Sequence, residues 1–343
     1  MTQRAAHGES AHARWGRRAL TIPGFLLAAA VAIATLPVAI PLLAIHDALR
    51  ANRGSTVRSA LALAHYFAGE AAGIAASGAL WIASLTAPSR GQDWNFRLQC
   101  WWAGWLFGGA RRLFGLRLQV EGSDLCRDGP LLLLVRHASV IDTLLPAVLV
   151  SGRTGLRLRY VMKRELLWDP CLDVVGQRLP NAFVRRGRGD AAAEIDRVRK
   201  LARGLGPRDG VMIFPEGTRF TPRKRRQILA RLAESAEPKH VERGRALRHV
   251  LPPRLGGVLA LLEAAPGADA VFCVHTGLEG LRTLKDLWSG ALVGRAIDVA
   301  FWRVPAAEIP AERAARVDWI FDQWARVDAW LEAHTAPELR EAA

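Results

Sequence analysis

The sequence predicts an α/β fold: a single domain with a mixed sheet flanked by helices, preceded by a hydrophobic helical membrane anchor. From about Leu116 onward, short apolar runs alternate with charged helical stretches, which is typical of strands and helices packed in layers. An uncharged apolar segment runs from Thr21 to Ile45. The 343 residues are enough for one sizeable domain with appendages.

The apolar segment is long enough to cross a bilayer, because about 25 residues at ~1.5 Å rise exceed the ~30 Å hydrocarbon core. Pro37 and Pro41 each remove a backbone hydrogen bond and favour a kink. Basic residues flank the segment on both sides, namely Arg14, Arg17 and Arg18 before it and Arg50, Arg53 and Arg58 after it. The positive-inside rule therefore gives conflicting orientations.

Two topologies resolve this conflict. Either the first segment is re-entrant, or a second apolar segment, Ala60 to Leu85, spans back; that second segment can also be an amphipathic or buried helix. Both topologies leave the rest of the chain in the cytoplasm. We therefore expect the protein at the cell inner membrane with its globular domain facing the cytoplasm.

Four regions follow from these patterns. We predict a basic N-terminal tail (1–20), a membrane-associated helical region (21–86), an interfacial connecting helix (87–115) and a globular domain (116–335) that ends in a Trp-rich helix. The connecting helix combines Trp101, Trp102 and Trp105 with Arg111 and Arg112, a composition typical of a bilayer interface.

Net charge limits the classes of partner to be expected, and cysteine spacing limits the expected disulfide and metal sites. The formal net charge of +15 predicts a surface that faces phospholipid headgroups, phosphate-bearing substrates or nucleic acid, and charge alone does not choose among them. The four cysteines are far apart without a C-x-x-C pair, which predicts neither a disulfide framework nor a zinc site. We expect no metal and no cofactor.

Seven apolar runs are predicted strands: Leu116 to Val120, Leu131 to Val135, Leu156 to Met162, Ala182 to Arg185, Val211 to Phe214, Val271 to His275 and Ile297 to Trp302. His137 follows the second of these runs after one residue, so we expect it where the sheet meets a helix beginning near Ile141, a usual position for catalytic groups. A neutral imidazole can accept a proton from an alcohol, and Asp142 would fix its tautomer. No G-x-S-x-G elbow accompanies the pair, so the activated alcohol is expected to be the substrate's own.

The second motif, Phe214-Pro215-Glu216-Gly217-Thr218-Arg219, leaves an apolar strand and turns at Gly217. Arg219 can hold a phosphate through two parallel hydrogen bonds, while Thr218 and backbone N–H groups supply further donors. Glu216 would accept a hydrogen bond from a hydroxyl group or orient Arg219. The element is therefore predicted to bind an anion.

Together these motifs resemble the glycerolipid acyltransferase family, of which the PlsC-like 1-acyl-sn-glycerol-3-phosphate acyltransferases are members. Further parallels are the middle motif Asn181 to Arg186, the proline motif Val250 to Gly257 and the extension Phe220 to Lys224, which is similar to the longer, membrane-anchored lysophospholipid acyltransferases. Arg136 departs from the family, which often has Asn there. That departure puts the identity of the acceptor in doubt.

The resemblance implies transfer of a fatty acyl group from acyl-CoA or acyl carrier protein to the free hydroxyl of a lysophospholipid, in phospholipid biosynthesis or remodelling. It implies that His137 is the base and that Asp142 orients it. The implied acceptor-binding residues are Lys163, Arg186, Glu216, Gly217, Thr218 and Arg219. The expected partners are membrane phospholipid, the acceptor and the acyl donor, with no nucleic acid.

Three alternatives stay open. A membrane-tethered nucleic-acid-binding protein is suggested by the run Arg223 to Arg226, although no recognised nucleic-acid-binding module is present. A metal-dependent hydrolase using His137 and Asp142 lacks an H-E-x-x-H motif or a cluster of histidines. An acyltransferase acting on a different hydroxylated lipid would share every motif.

Overall fold

The computed structural model describes residues 9–185, 191–281 and 283–334. Within them the α-helices are α1 (Ala11–Arg50), α2 (Ser55–Thr86), α3 (Gly91–Phe114), α4 (Gly152–Thr154), α5 (Pro170–Val174), α6 (Ala191–Leu201), α7 (Pro222–Ser235), α8 (Pro238–Ala246), α9 (Leu255–Ala264) and α10 (Arg313–His334). The strands are β1 (Arg117–Glu121), β2 (Leu131–Val135), β3 (Arg157–Lys163), β4 (Ala182–Val184), β5 (Asp209–Ile213), β6 (Asp269–His275) and β7 (Ala296–Val304). Each predicted strand is present; β2 has the predicted bounds, and the ends of the others are shifted by at most two residues.

The chain divides into two compact units. The first, here called the helical unit, comprises Met1–Arg117, Leu144–Asp190 and Thr283–Arg295. The second, here called the sheet unit, comprises Leu118–Thr143, Ala191–Arg282 and Ala296–Ala343. Residues 1–8 of the predicted tail, Arg186 and residue 335 lie outside the described residues.

The sheet unit contains a mixed sheet with strands in the order β1-β7-β6-β2-β5. Strand β2 pairs in parallel with both β5 and β6, whereas β7 pairs with β6 antiparallel. All five residues of β2 are buried, as expected for a central strand covered on both faces. The prediction of an α/β fold with a mixed sheet is confirmed.

Helix α10 covers part of this core through the buried side chains of Ile320, Phe321 and Trp324. The Trp324 indole N–H donates to the carbonyl of Leu251 at 3.0 Å, which satisfies its one polar group inside the core. The Trp-rich C-terminal helix predicted from the sequence is therefore part of the sheet unit.

The helical unit contains α1, α2 and α3 together with the parallel pair β3–β4. Helix α1 begins at Ala11, inside the predicted basic tail, and continues through Pro37 and Pro41 to Arg50. The chain therefore reverses at residues 51–54, after the apolar segment and not within it. By length and composition alone, α1 and α2 could each cross a membrane, which is weak evidence of membrane association.

Hydrogen bonds fix both ends of this helix pair within the helical unit. Near the start of α1, Arg17 and Arg18 donate to the buried carboxylate of Asp173 at 2.9 and 3.0 Å. Near the start of α2, the Ser59 hydroxyl donates to the carbonyl of Leu287 at 2.7 Å. Between these ends α1 exposes large apolar side chains, among them Leu27, Val38 and Leu42.

Candidate active site

His137 lies just beyond the carboxyl end of β2, the strand that pairs in parallel with β5 and β6. Side chains at this edge of parallel strands can meet at one point, which is why such edges hold functional groups. The ring of His137 stacks on Phe214, which follows β5, with centroids 4.2 Å apart. Its side chain is 12% exposed, so the imidazole is held firmly but can still be reached.

Asp142 is completely buried beside this ring. Its Oδ1 lies 3.0 Å from His137 Nδ1, and its Oδ2 accepts from the N–H groups of Ala138 and Ser139, each at 2.6 Å. Burial alone would raise the pKa of Asp142, but hydrogen bonds with His137 and His275 outweigh it and hold the pKa well below its usual value. The carboxylate is therefore ionised at neutral pH.

An ionised Asp142 at Nδ1 fixes the tautomer of His137 in which Nδ1 carries the proton and Nε2 carries a lone pair. Among the described residues, no hydrogen-bond partner is recorded for Nε2. The structure thus brings the two predicted catalytic residues into contact. Their arrangement can accept a proton from a substrate at Nε2.

Glu216 is also completely buried, and both of its oxygens accept hydrogen bonds from the backbone. Oε1 accepts from His137 N–H at 2.8 Å and Oε2 from Leu251 N–H at 2.9 Å. Burial raises the pKa of Glu216 to about 7, although these two hydrogen bonds and Arg136 act to lower it. With both oxygens bound to the backbone, Glu216 is suited to positioning the backbone of His137. This geometry favours the predicted contact of Glu216 with the acceptor less.

Gly217 adopts a left-handed conformation with φ of 66°. A Cβ there would lie 2.7 Å from Cδ of Arg254, so the turn requires glycine for both its φ and the close approach of that side chain. The next residue, Thr218, accepts from Nζ of Lys224 at 2.9 Å. Arg219 is partly exposed immediately after.

Arg254 is a basic residue at this turn that sequence reasoning missed. Its backbone N–H donates to the carbonyl of Pro215 at 2.8 Å, and burial together with the nearby Arg231 lowers the pKa of its guanidinium. The sequence signal was its position in the proline motif. That motif contacts the Phe214 to Arg219 element through the hydrogen bond from Arg254 to Pro215. The turn therefore presents more positive charge than the motif alone supplies.

A second group missed from the sequence lies behind Asp142. His275, fully buried at the end of β6, has its Nε2 3.2 Å from the carbonyl of Arg136 and 3.5 Å from Oδ2 of Asp142. Nη1 of Arg136 in turn donates to His275 O and to Glu279, both at 2.5 Å. The sequence signal for His275 was its position at the end of an apolar strand, which is similar to the position of His137 just after β2.

Two other residues were predicted to bind the acceptor. Lys163 ends β3 in the helical unit, where its Nζ pairs with Glu165 at 3.2 Å. Arg186 lies outside the described residues. Among those described, no group of three or more His, Cys, Asp or Glu side chains is arranged to hold a metal ion.

This chain is similar to known proteins both in sequence and in structure. Residues 117–256 match the sequence family described as Acyltransferase, which confirms the resemblance inferred from the motifs. A solved structure similar to this chain is that of the 1-acyl-sn-glycerophosphate (LPA) acyltransferase, PlsC, from Thermotoga maritima. The two share 14% sequence identity with a TM-score of 0.48, over 76% of this chain and 89% of the other.

Proposed function

We propose that this chain, whose residues 117–256 match the Acyltransferase family, acylates the free hydroxyl of a lysophospholipid, with 1-acyl-sn-glycerol-3-phosphate as the acceptor. The donor in this proposal is a thioester of coenzyme A or of acyl carrier protein, and the role is phospholipid biosynthesis or remodelling. The observation that carries the proposal is the His137–Asp142 pair, with its 3.0 Å contact at Nδ1 and a histidine side chain that is 12% exposed.

In the proposed reaction, Nε2 of His137 takes the proton of the acceptor hydroxyl as its oxygen attacks the thioester carbonyl carbon. Asp142 stabilises the imidazolium that forms. The tetrahedral intermediate then collapses, the C–S bond breaks, and the imidazolium returns its proton to the thiolate leaving group. The products are the new ester and the free thiol, and His137 is restored.

The turn that follows Glu216 supplies charge for the acceptor's phosphate. Arg219, Lys224 and Arg254 lie on or against this turn, whereas the carboxylate of Glu216 faces the backbone. Guanidinium groups bind phosphate through charge-assisted hydrogen bonds. This excess of positive charge favours an acceptor with an exposed phosphate over one whose phosphate is covered by a cationic headgroup.

The proposed setting is the cytoplasmic face of the inner membrane. A lysolipid with a ~16-carbon chain would have to leave the bilayer at a cost of about 12 kcal/mol if the enzyme were not at the membrane, counting ~0.8 kcal/mol per CH₂. The apolar face of α1 offers the necessary attachment.

The test is acyl transfer by the purified full-length protein in detergent, followed by mass spectrometry of the lipid product. Palmitoyl-CoA and palmitoyl-acyl carrier protein would each be offered with lysophosphatidate, lysophosphatidylcholine, lysophosphatidylglycerol and monoacylglycerol. We expect phosphatidate as the main product, and loss of activity by roughly a hundred- to ten-thousandfold in His137→Ala and Asp142→Asn.

His334→Ala, which alters an exposed histidine at the end of α10, is the matched control. Retained activity in His137→Ala would refute the mechanism. Transfer to monoacylglycerol alone would instead support the alternative of a different hydroxylated lipid. Failure with every donor and acceptor would refute the proposed reaction.

A further inference from the structure

The helical unit contains a cleft of about 760 Å³ where the chain turns from α1 into α2. The end of α1, the turn at residues 51–54, the start of α2 and the end of α3 form its lining. Its walls are mostly apolar, with Ala48, Leu61 and Leu113 among the contributors. A volume of this size is typical of sites for small organic ligands.

The charged groups of the cleft leave an excess of positive charge. Its one carboxylate, Asp47, already accepts from the N–H groups of Thr56 and Val57 at the start of α2, at 3.2 and 3.0 Å. Arg58 donates to the carbonyl of Leu113.

Two further arginines line the cleft without such partners. Arg53, in the turn, and Arg112, near the end of α3, have no side-chain hydrogen bond or ion pair recorded with any other residue in the described ranges. Two unpaired guanidinium groups beside an apolar wall are suited to a ligand with an anionic end and an apolar end.

The backbone of the turn is held in a conformation that few residues adopt. Among the described residues, the non-glycine positions with positive φ are Ala51, at 50°, and Arg53, at 59°, and both line the cleft. Residues with a Cβ adopt this conformation at a cost, and such positions concentrate at binding sites. The hydrogen bond from Ser59 to Leu287 holds the turn in place.

We propose that this cleft binds an anionic phospholipid of the bilayer, as a site separate from the reacting acceptor. Its phosphate lies between Arg53 and Arg112, and its glycerol and first acyl carbons contact the apolar wall. The exposed side chains of Leu42 and Ile45 continue the apolar surface along α1. Each lies within one helical turn of a cleft residue, Leu42 of Ala44 and Ile45 of Ala48. Free phosphate would satisfy the arginines but would leave that wall in contact with water.

The experiment measures binding of dioctanoyl-phosphatidylglycerol to the full-length protein in detergent by isothermal titration calorimetry, with no acyl donor present. Dioctanoyl-phosphatidylcholine and inorganic phosphate are the comparison ligands. Replacing both arginines in Arg53→Gln/Arg112→Gln should weaken binding of phosphatidylglycerol by roughly 10- to 30-fold, since each cation near an anionic lipid contributes about fivefold.

The matched control is Arg50→Gln/Arg111→Gln, which removes the same charge from neighbouring positions that do not line the cleft. It should bind within about twofold of the parent protein. Ala48→Trp, which fills the cleft without changing charge, should also weaken binding. Circular dichroism would verify that each variant keeps its helices.

Three outcomes would overturn the proposal. Equal weakening in the two double variants would show a diffuse charge effect, and equal affinity for phosphatidylcholine would show that the cleft does not select an anion. Undiminished binding in a folded Ala48→Trp variant would place the lipid elsewhere. Because no acyl transfer is measured, these results stand apart from any failure of the proposed reaction.

Discussion

At the scale of single residues, Glu216 links protonation to stability. Its pKa of about 7 in the folded protein exceeds the ordinary value of 4.5, and burial is the main cause. The folded state therefore binds more protons than the unfolded state between these pH values, so this group's contribution to stability falls as pH rises from 4.5 to 7. At 1.36 kcal/mol per pKa unit, the loss is roughly 3 kcal/mol.

We expect Glu216→Gln to remove this slope, because an amide does not titrate in this range. The variant should also lose activity, since one amide N–H would face the backbone N–H of either His137 or Leu251. Denaturant unfolding of both proteins from pH 4.5 to 8 gives the slope of the unfolding free energy against pH for each. Groups that titrate equally in both proteins cancel when the two slopes are subtracted. Parallel stability curves would contradict the assigned pKa.

Arg254 gives a second prediction at this scale. Arg254→Gln should raise KM for lysophosphatidate by roughly tenfold, since a charge-assisted hydrogen bond to phosphate is lost, and should change KM for the acyl donor less. Arg248→Gln, an exposed position on the same segment, is the control. A defect confined to the donor would assign Arg254 to the coenzyme or carrier protein.

At the scale of elements, the turn after β5 can be tested with two glycines of similar conformation. Gly217 has φ of 66° and Gly204 has φ of 62°, but only at Gly217 would a Cβ meet another side chain, that of Arg254. Alanine at either position should destabilise the fold by about 1 kcal/mol because of the left-handed φ. Gly217→Ala should in addition lower acyl transfer, because Arg254 must move.

Unfolding free energies and kcat/KM of the two variants, measured side by side, separate these effects. Comparable activity loss in Gly204→Ala would mean that reduced stability alone is responsible. Normal activity in Gly217→Ala would show that the position of Arg254 does not matter for the reaction.

The elements also show what the sequence could predict. The strands and the pairing of His137 with Asp142 depend on local patterns of apolar residues and on a spacing of five, and the structure contains both. The approach of His275 to Asp142 depends instead on the register of β2 against β6, where Val135 is opposite Cys273.

Registers between distant segments are not encoded in local spacing, so His275 and Arg254 were missed. The same limit explains why the hydrogen-bond partners of Glu216 were not predicted. A charged residue in a turn is ordinarily expected to face solvent or substrate, and its burial on two backbone N–H groups depends on the distant Leu251.

At the scale of the whole molecule, the question is how the helix pair meets the membrane. Both ends of α1 are held by hydrogen bonds to other parts of the helical unit. Near its start Arg17 donates to Asp173, and just after its end the turn into α2 is held by the hydrogen bond from Ser59 to Leu287. A helix of 40 residues is about 60 Å long. If α1 crossed the bilayer, these attachments would lie on opposite faces, so we expect α1 and α2 to lie along the cytoplasmic face with their apolar side chains in the lipid.

Single cysteines at Arg50 and Gln227, introduced into a variant in which Cys100 is replaced by Ser, test this arrangement. Cys126, Cys171 and Cys273 are buried and should not react. A membrane-impermeant thiol reagent applied to intact cells should label neither introduced cysteine, and permeabilised cells should show both labelled. Labelling of Arg50→Cys alone from outside would establish that α1 spans and α2 returns, which would require the attachments at Asp173 and Leu287 to separate. Labelling of Gln227→Cys from outside would place the domain beyond the reach of cytoplasmic thioesters and so overturn the proposed donor as well.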